Sequence, residues 1–226
     1  MSPEATAPRG PQASMEQRLS ELSVRTFVEH LATSDPIPGG GSAAAMAGAM
    51  AAALVHMVVE LTLGRPLAEG NEDALMLTRR AAVAWQSELI NLAELDANAY
   101  GAVVRARQLP RDTDRQRDAR SIQVAACLRE ATRIPVATAR AASGVLELAE
   151  RLAPIGNRNA VSDVGVAALL AVAGLKGAAL NVQINLPHLS EDEPLRAEAG
   201  TEIERLLSTV DERDRTLQDA VAERLR

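Results

Sequence analysis

The chain has 226 residues and a formal net charge of −6, with 47% hydrophobic and 24% charged residues, values typical of one soluble globular domain. A single Phe, Trp and Tyr disfavour an all-β fold, whose strands draw on aromatic and β-branched residues. Three rings also cannot build a base-stacking platform, and the acidic balance lacks the basic face that duplex binding needs, so nucleic acid is not expected as a partner.

The N-terminal half of the chain is predicted to form a tail and three helices. Residues 1–14 are rich in Pro and Ala and lack the apolar core of a signal peptide, which indicates a disordered tail. Apolar spacing predicts helices over 15–32, 43–63 and 69–108. The segment 33–42, with two Pro and three Gly, is the strongest helix breaker in the chain.

The C-terminal half is predicted to be helical as well. Helical spacing runs over 113–153, where Pro135 indicates a kink or break, over 164–186, and over 193–226. Ser162 and Asp163 suit the N-terminus of the second of these helices, as a hydroxyl cap and an acidic group near the positive end of the helix dipole.

Two of the predicted helices, 43–63 and 164–186, are rich in Ala and apolar around their whole circumference. The first is long enough to cross a bilayer, but it carries His56 and Glu60, and helices of this kind are more often buried on every side by other helices. We therefore predict an all-α, single-domain bundle over 15–226, with five to seven helices and two Ala-rich buried central helices, and no membrane span.

Metal and disulfide chemistry are not indicated. Cys127 is the only cysteine and is distant in sequence from His30, His56 and His188, which gives no metal-ligand spacing. No metal and no bound cofactor are expected. A lone cysteine fits a reducing compartment, so a cytoplasmic location is expected.

The glycine-rich breaker is the first candidate site. Gly39, Gly40, Gly41 and Ser42 stand directly before a predicted helix, where free backbone N–H groups could bind an anion or a carbonyl group. The segment is neither a Walker A loop nor a dinucleotide fingerprint. The alternative is a tight turn that packs closely against another helix.

Asp96 and Tyr100 form the second candidate. They are four residues apart, so they share one face of a predicted helix and continue its apolar stripe. A carboxylate beside an apolar face is desolvated and can reach a pKa suited to acid–base catalysis. The alternative is an exposed aspartate at the edge of the stripe.

Asparagines in the C-terminal half form the third candidate. Asp163 and Asn181 are eighteen residues apart, which is five turns of helix, so they share a face. Polar groups on an apolar helix need hydrogen-bond partners. These polar side chains bind either a ligand or, as the alternative, one another. The candidate residues are Asn157, Asn159, Asp163, Asn181 and Asn185.

His56 and Lys176 are weaker candidates. A lone histidine in a core helix usually has only a structural hydrogen bond, although His is also the commonest acid–base group. Lys176, the only lysine in the chain, could be a base of lowered pKa, but a side chain that reaches solvent is the simpler expectation.

Five segments in this order resemble the cyclodeaminase/cyclohydrolase family, which is related to the C-terminal domain of formiminotransferase-cyclodeaminase. They are SDPIPGGGS at 34–42, ELTLG at 60–64, DANAY at 96–100, GNRNAVSDVG at 156–165 and LNVQINL at 180–186. The resemblance covers about 19–217, nearly the whole predicted domain.

The resemblance implies an all-helical cytoplasmic homodimer that acts on reduced folate without a metal. One activity in the family closes 5-formimino-tetrahydrofolate to 5,10-methenyl-tetrahydrofolate with loss of ammonia, and the other opens the methenyl bridge with water to give 10-formyl-tetrahydrofolate. On this basis Asp96 is the candidate catalytic acid–base. The candidates for binding the folate are Gly39, Gly40, Gly41, Ser42, Tyr100, Asn157, Asn159, Asp163, Asn181 and Asn185.

The chain departs from the family pattern at four places. Family members often have lysines at the position of Arg65-Pro66 and a basic residue at the position of Gln183. They more often have an acidic residue at the position of Lys176 and a small residue at the position of His56. Loss of lysines matters because a folate tail is anionic. These departures leave two alternatives to a folate enzyme: a relative adapted to another small-molecule cyclisation, hydration or deamination, or a non-catalytic helical dimer. The sequence does not separate ring closure from ring opening.

Overall fold

The structure, a computed structural model, describes residues 18–226. Within that range the chain is helical and contains no strand, which confirms the predicted all-α class. The predicted tail over 1–14 lies outside the described residues. The α-helices are Val24–Leu31 (α1), Gly40–Thr62 (α2), Glu72–Arg107 (α3), Asp114–Leu152 (α4), Val161–Asn185 (α5) and Pro194–Leu225 (α6).

The two Ala-rich helices α2 and α5 form an antiparallel pair at the centre of the bundle. The start of α2 at Gly40 lies beside Asn181 near the end of α5, while Thr62 at the end of α2 bonds to Asn157 just before α5. Small residues allow the close approach, because a Cβ at Gly174 would lie 2.9 Å from the carbonyl oxygen of Ala44.

The other long helices cover this pair on three sides. Helix α3 packs on α2, α4 packs on both central helices, and α6 packs on α5. Each contributes fully buried apolar side chains, and their removal from water supplies the main driving force for folding. These include Leu75 and Leu89 of α3, Leu146 and Leu152 of α4, and Ile203 of α6.

Two of the predicted boundaries in the first half of the chain are wrong. Within the described part of the helix predicted over 15–32, from residue 18 on, the chain forms a 3₁₀ turn, Leu19–Glu21, and the short α1 instead of one helix. Ser23 separates them, and its hydroxyl accepts a hydrogen bond from Thr26 N–H as the cap of α1. Helix α2 begins at Gly40, so Gly40, Gly41 and Ser42 form its first turn instead of a loop.

The structure corrects two expectations in the second half as well. Helix α4 continues through Pro135, so the predicted break there is wrong. Helix α5 begins at Val161 with Ala160 as its cap residue, so Ser162 is inside the first turn and does not cap it. Asp163 does lie in that first turn, where an acidic side chain is favoured by the helix dipole.

The central helices are also not buried on every side. Both pack on α4, and each also shows an exposed or half-buried stripe at spacings of three and four residues, which is apolar on α2 and is apolar on α5 except for Lys176. Met50, Leu169 and Ile184 are 50%, 53% and 67% exposed. We call this surface the α2–α5 face. It comprises Ala47, Met50, Leu54, Met57 and Leu61 of α2, and Val166, Leu169, Ala173, Leu180 and Ile184 of α5.

Both central helices are long and apolar enough to cross a membrane by length and composition alone. In each, however, 56% of the apolar window is buried against the rest of the chain. Apolar residues that face other helices of the same chain are typical of the core of a helical bundle.

The close α2–α5 contact can be tested at Gly174. We expect Gly174→Ala to lower the free energy of unfolding by about 1–3 kcal/mol, because the new methyl group overlaps backbone and the helices must move apart. The measurement is urea denaturation followed by circular dichroism.

Gly200→Ala in α6 is the matched control. Its Cβ would meet only Leu186 at 3.8 Å, an ordinary contact, so the substitution should be neutral or stabilising by about 0.5–1 kcal/mol. Equal stability of the two variants would contradict the tight α2–α5 contact.

Candidate active site

A cavity of about 390 Å³ opens where the start of α2, the second half of α3 and the end of α5 meet α4. This volume lies within the range of small-molecule sites. Five of the predicted site residues on α2 and α3, and both late asparagines of α5, line it. The lining comprises Pro36, Gly39, Gly40, Gly41, Asp96, Ala97, Tyr100, Val103, Arg107, Leu128, Ala131, Asn181, Ile184, Asn185 and His188.

The Asp96 carboxylate packs directly on the first turn of α2. A Cβ added at Gly41 would overlap its oxygen and carbon atoms, so only glycine at this position lets the side chain approach the helix backbone so closely. The backbone N–H of Ser42 donates to the carboxylate. The glycine-rich segment therefore packs closely against α3 and also forms part of the site, because it leaves room for the Asp96 carboxylate. Both interpretations of this segment, close packing and site formation, apply.

The Ser42 hydroxyl links Asp96 to the backbone of α3. Its oxygen lies 2.9 Å from the Ala93 carbonyl oxygen and 3.3 Å from Asp96 Oδ2. A hydroxyl has a single proton, which it can donate to either oxygen. It can donate to Asp96 when the carboxyl group is ionised, or donate to Ala93 and accept a hydrogen bond from a neutral Asp96, so the arrangement accommodates both protonation states.

Burial raises the pKa of Asp96 above its ordinary value, because a carboxylate is less well solvated in the cavity wall than in water. The two hydrogen bonds from Ser42 act in the opposite direction but do not cancel the effect of burial. A half-buried carboxyl group of raised pKa beside a cavity is suited to take up and return a proton.

Three more predicted residues surround Asp96. Asn181 donates from Nδ2 to the Gly177 carbonyl at 2.9 Å, and Asn185 donates to the Ala131 carbonyl at 2.8 Å. These bonds fix the two amide groups at the cavity wall. Tyr100, one helical turn after Asp96 on α3, also lines the cavity and is 46% exposed.

The remaining asparagines and Asp163 lie at the opposite end of the α2–α5 pair. The eighteen residues between Asp163 and Asn181 correspond to about 27 Å of helix, so sharing a face did not bring them together. Asn157 is buried, donates to the Leu61 carbonyl at 2.9 Å and accepts from Asn159 N–H at 3.0 Å. Within one chain, Asn157, Asn159 and Asp163 therefore do not line the Asp96 cavity, and Asn157 ties the loop before α5 to the end of α2.

Neither weak candidate lines the cavity. His56 lies 3.2 Å from Glu60, and Lys176 forms an ion pair with Asp211 of α6. The side chain of Lys176 thus reaches the surface, as the simpler expectation had it. Across residues 18–226, no three His, Cys, Asp or Glu side chains form a cluster that could hold a metal ion.

Sequence analysis missed two basic residues of the cavity, Arg107 and His188. Arg107 could have been found, because Asp96, Tyr100, Val103 and Arg107 follow one another at spacings of four, three and four residues and so share one face of α3. His188 had no such signal. It follows Pro187 in the 3₁₀ turn after α5, and only the packing of that turn brings it to the cavity.

Comparisons with known proteins identify the family. A family model described as formiminotransferase-cyclodeaminase matches residues 23–205. The chain belongs to the formiminotransferase-cyclodeaminase family. The match includes α1 to α5 and every residue that lines the Asp96 cavity.

Two individual relatives differ in length and in activity. The chain is 41% identical over 198 residues to the methenyltetrahydrofolate cyclohydrolase of Methylorubrum extorquens, covering 83% of this chain and 95% of that protein. It is 34% identical to the formimidoyltransferase-cyclodeaminase of Rattus norvegicus over 182 residues, which is 80% of this chain but 34% of the longer rat protein.

A solved structure shares the fold. The formiminotetrahydrofolate cyclodeaminase from Thermotoga maritima superposes with a TM-score of 0.81 and 27% sequence identity, covering 91% of this chain and 98% of that chain. The bundle described above is therefore the fold of this family.

The raised pKa of Asp96 leads to a prediction about stability. The native state holds this proton more tightly than the unfolded chain does, so the free energy of unfolding falls as pH rises from below 3.8, the ordinary value, to the raised pKa. The loss persists at higher pH. We therefore expect Asp96→Asn to have a higher Tm than the wild type at pH 7, with a difference that shrinks as pH is lowered towards 4.

Asp118→Asn, at an exposed position on α4, controls for the change in net charge. Thermal unfolding at a series of pH values measures both variants. If Asp96→Asn were less stable than the wild type at pH 7, burial would not disfavour the charged form of Asp96.

Proposed function

We propose that this protein hydrolyses 5,10-methenyl-tetrahydrofolate to 10-formyl-tetrahydrofolate, with Asp96 as the acid–base group. The observation that carries the proposal is the Asp96 carboxyl group, held against Gly41 and Ser42 at the wall of the cavity. The 41% identity to a methenyltetrahydrofolate cyclohydrolase over 95% of that protein supports this direction of reaction.

The geometry suits attack by water on the bridge carbon. The methenyl group carries a positive charge spread over N5, the bridge carbon and N10, and ionised Asp96 would stabilise that charge. As water adds to the carbon, Asp96 takes its proton. As the bond from the carbon to N5 breaks, Asp96 returns its proton to N5, and the hydroxyl group on the carbon gives up its remaining proton to become the C=O of the formyl group on N10. One water is consumed, and one proton is released overall.

The rest of the cavity wall would orient the substrate. The N–H groups of Gly40 and Gly41 belong to the first turn of α2 and have no partners within the helix, so they can donate to a pterin carbonyl. The amides of Asn181 and Asn185, together with the Tyr100 hydroxyl, provide further hydrogen-bonding groups on the facing walls. The apolar side chains of Val103, Leu128 and Ile184 suit the aromatic part of a folate.

The departures from the family pattern lie outside this cavity. Arg65 lies just beyond the end of α2, opposite the cavity, the His56 ring lies beside Glu60, and Lys176 pairs with Asp211 at the surface. Gln183 is exposed on α5 and is not part of the cavity wall. They therefore supply no reason to replace the folate substrate.

The absorbance band of methenyl-tetrahydrofolate provides the test. We expect the purified protein to accelerate its decay above the uncatalysed rate, and Asp96→Asn to reduce kcat by about 10²–10⁴-fold, the usual range for an acid–base group, while it remains folded. Asp118→Asn is the control and should leave the rate unchanged.

A second run starts from 5-formimino-tetrahydrofolate. Growth of the methenyl band with release of ammonia, without accelerated hydrolysis, would assign the cyclodeaminase reaction instead. A folded protein that is inactive in both runs would exclude a folate reaction and leave the adapted relative or the non-catalytic dimer.

We further propose that the protein is a homodimer formed through the α2–α5 face. This face is apolar along both adjacent helices apart from Lys176, whose side chain pairs with Asp211 of α6, and stable exposure of such a surface to water is unfavourable. A second copy of the same face offers an equally apolar, self-complementary surface, as two-fold symmetry requires.

We also propose a cytoplasmic location. The lone cysteine, Cys127, is buried and free, which suits a reducing compartment.

Light scattering after gel filtration tests the dimer. We expect about twice the chain mass of 23.9 kDa for the wild type. Leu169→Glu, which places a charge at the middle of the face, should give monomers. Ile122→Glu on α4, at a side chain that is 71% exposed, is the matched control and should remain dimeric. A monomeric wild type, or one that binds phosphatidylcholine vesicles, would contradict the proposal.

A further inference from the structure

The cavity has a basic end that the proposed reaction does not use. Arg107 is the last residue of α3, and eleven residues separate it from Asp96, which corresponds to about 16 Å along the helix. Tyr100 and Val103 lie between them on the same face. One wall of the cavity thus runs from a carboxylate at one end to a guanidinium at the other.

His188 lies at the same end as Arg107. The next residue, Leu189, is buried in a small apolar cluster with Val103 and Ala106 of α3. This packing places the 3₁₀ turn after α5 against the last turns of α3, and both basic side chains line the cavity. Among the residues that line the cavity, Arg107 and His188 are the basic ones and Asp96 is the acidic one.

The position of Arg107 is fixed by a contact outside the cavity. Arg120 of α4 donates from Nε and Nη2 to the Arg107 carbonyl oxygen at 3.1 and 3.0 Å. This pair of bonds caps the end of α3 and ties it to α4. By contrast, no ion pair within residues 18–226 includes the Arg107 guanidinium or the His188 ring, so both groups are available to an anionic ligand.

We propose that Arg107, assisted by His188, binds the carboxylates of the glutamate tail of the substrate. This inference rests on the proposed function, which places the bridge carbon of the folate at Asp96. The tail is attached beyond the benzoyl ring, at the far end of an elongated molecule, and the cavity wall has its positive charge at the far end from Asp96. Arginine suits this role because its planar fork binds a carboxylate through two parallel hydrogen bonds.

Position 65, where lysines are common in the family pattern, lies at the opposite end of α2 from the cavity, so a basic residue there would not reach the tail within one chain. At the cavity itself, the positive charge for an anionic tail is supplied by Arg107 at the end of α3, with the His188 ring at the same end as a further hydrogen-bonding group.

The test compares two substrates that differ only in the tail: 5,10-methenyl-tetrahydrofolate, and its analogue in which a neutral primary amide replaces the glutamate. For Arg107→Gln we expect KM for the natural compound to rise about 10–100-fold, the effect of losing a hydrogen bond to a charged group, with kcat little changed. KM for the amide analogue should stay the same. Arg107→Lys should recover part of the loss.

Arg115→Gln is the matched control, since it removes one exposed positive charge from the first turn of α4 without touching the cavity. His188→Gln should raise KM for the natural compound alone, by a smaller factor. Calorimetric titration with 5-formyl-tetrahydrofolate should show the same order of affinities without depending on turnover.

The outcomes separate the two proposals. Equal KM values for Arg107→Gln and the wild type on the natural compound, or equal losses on both substrates, would overturn the tail assignment and leave the proposed reaction intact. A folded wild type that neither turns over nor binds either compound would overturn the proposed function, and the tail assignment with it.

Discussion

The contact between the Asp96 carboxylate and the first turn of α2 is the constraint on which the site depends. It requires a residue without a side chain at Gly41, a donor at Ser42 and a helix that starts at this point. A larger residue at position 41 would displace the carboxylate and open the junction of α2 and α3. The glycine-rich segment is therefore explained by packing and by chemistry together.

The same contact has a cost for the folded state. Burial raises the pKa of Asp96, which means that the ionised form destabilises the native protein near neutral pH. The hydrogen bonds that the Ser42 hydroxyl and backbone N–H donate to Asp96 offset part of this cost, because they favour the ionised form. Such a trade between stability and readiness for proton transfer is typical of catalytic carboxyl groups.

The antiparallel packing of α2 and α5 determines which polar residues can work together. It places Gly40 beside Asn181 at one end and Thr62 beside Asn157 at the other. The cavity forms only at the first end, where α3 and α4 complete the walls. At the second end, the hydrogen bonds of the Asn157 side chain fix the loop that precedes α5. The helices that carry the site also carry the α2–α5 face, so the proposed dimer would bury the outer surface of the same pair.

Much of this protein follows from the sequence by itself. Apolar periodicity and Ala-rich composition determine six helices and two central ones, because each helix must bury one side against another. The two candidate sites at Gly39–Ser42 and at Asp96 with Tyr100 also follow, since each is a local pattern, but the contact between them is decided by the packing of α2 on α3. Helix starts were less accurate, because apolar spacing does not show the hydrogen bond by which Ser23 caps α1, nor that the glycines from Gly40 form the first turn of α2.

Only the tertiary structure decided how far apart the polar groups lie. A shared helix face placed Asp163 with Asn181, but the length of the helix separates them by about 27 Å. Conversely, Arg107 and His188 are distant in sequence and meet only because the turn after α5 packs on the end of α3. Periodicity specifies the direction in which a side chain points, whereas the neighbours that it reaches depend on how the helices pack.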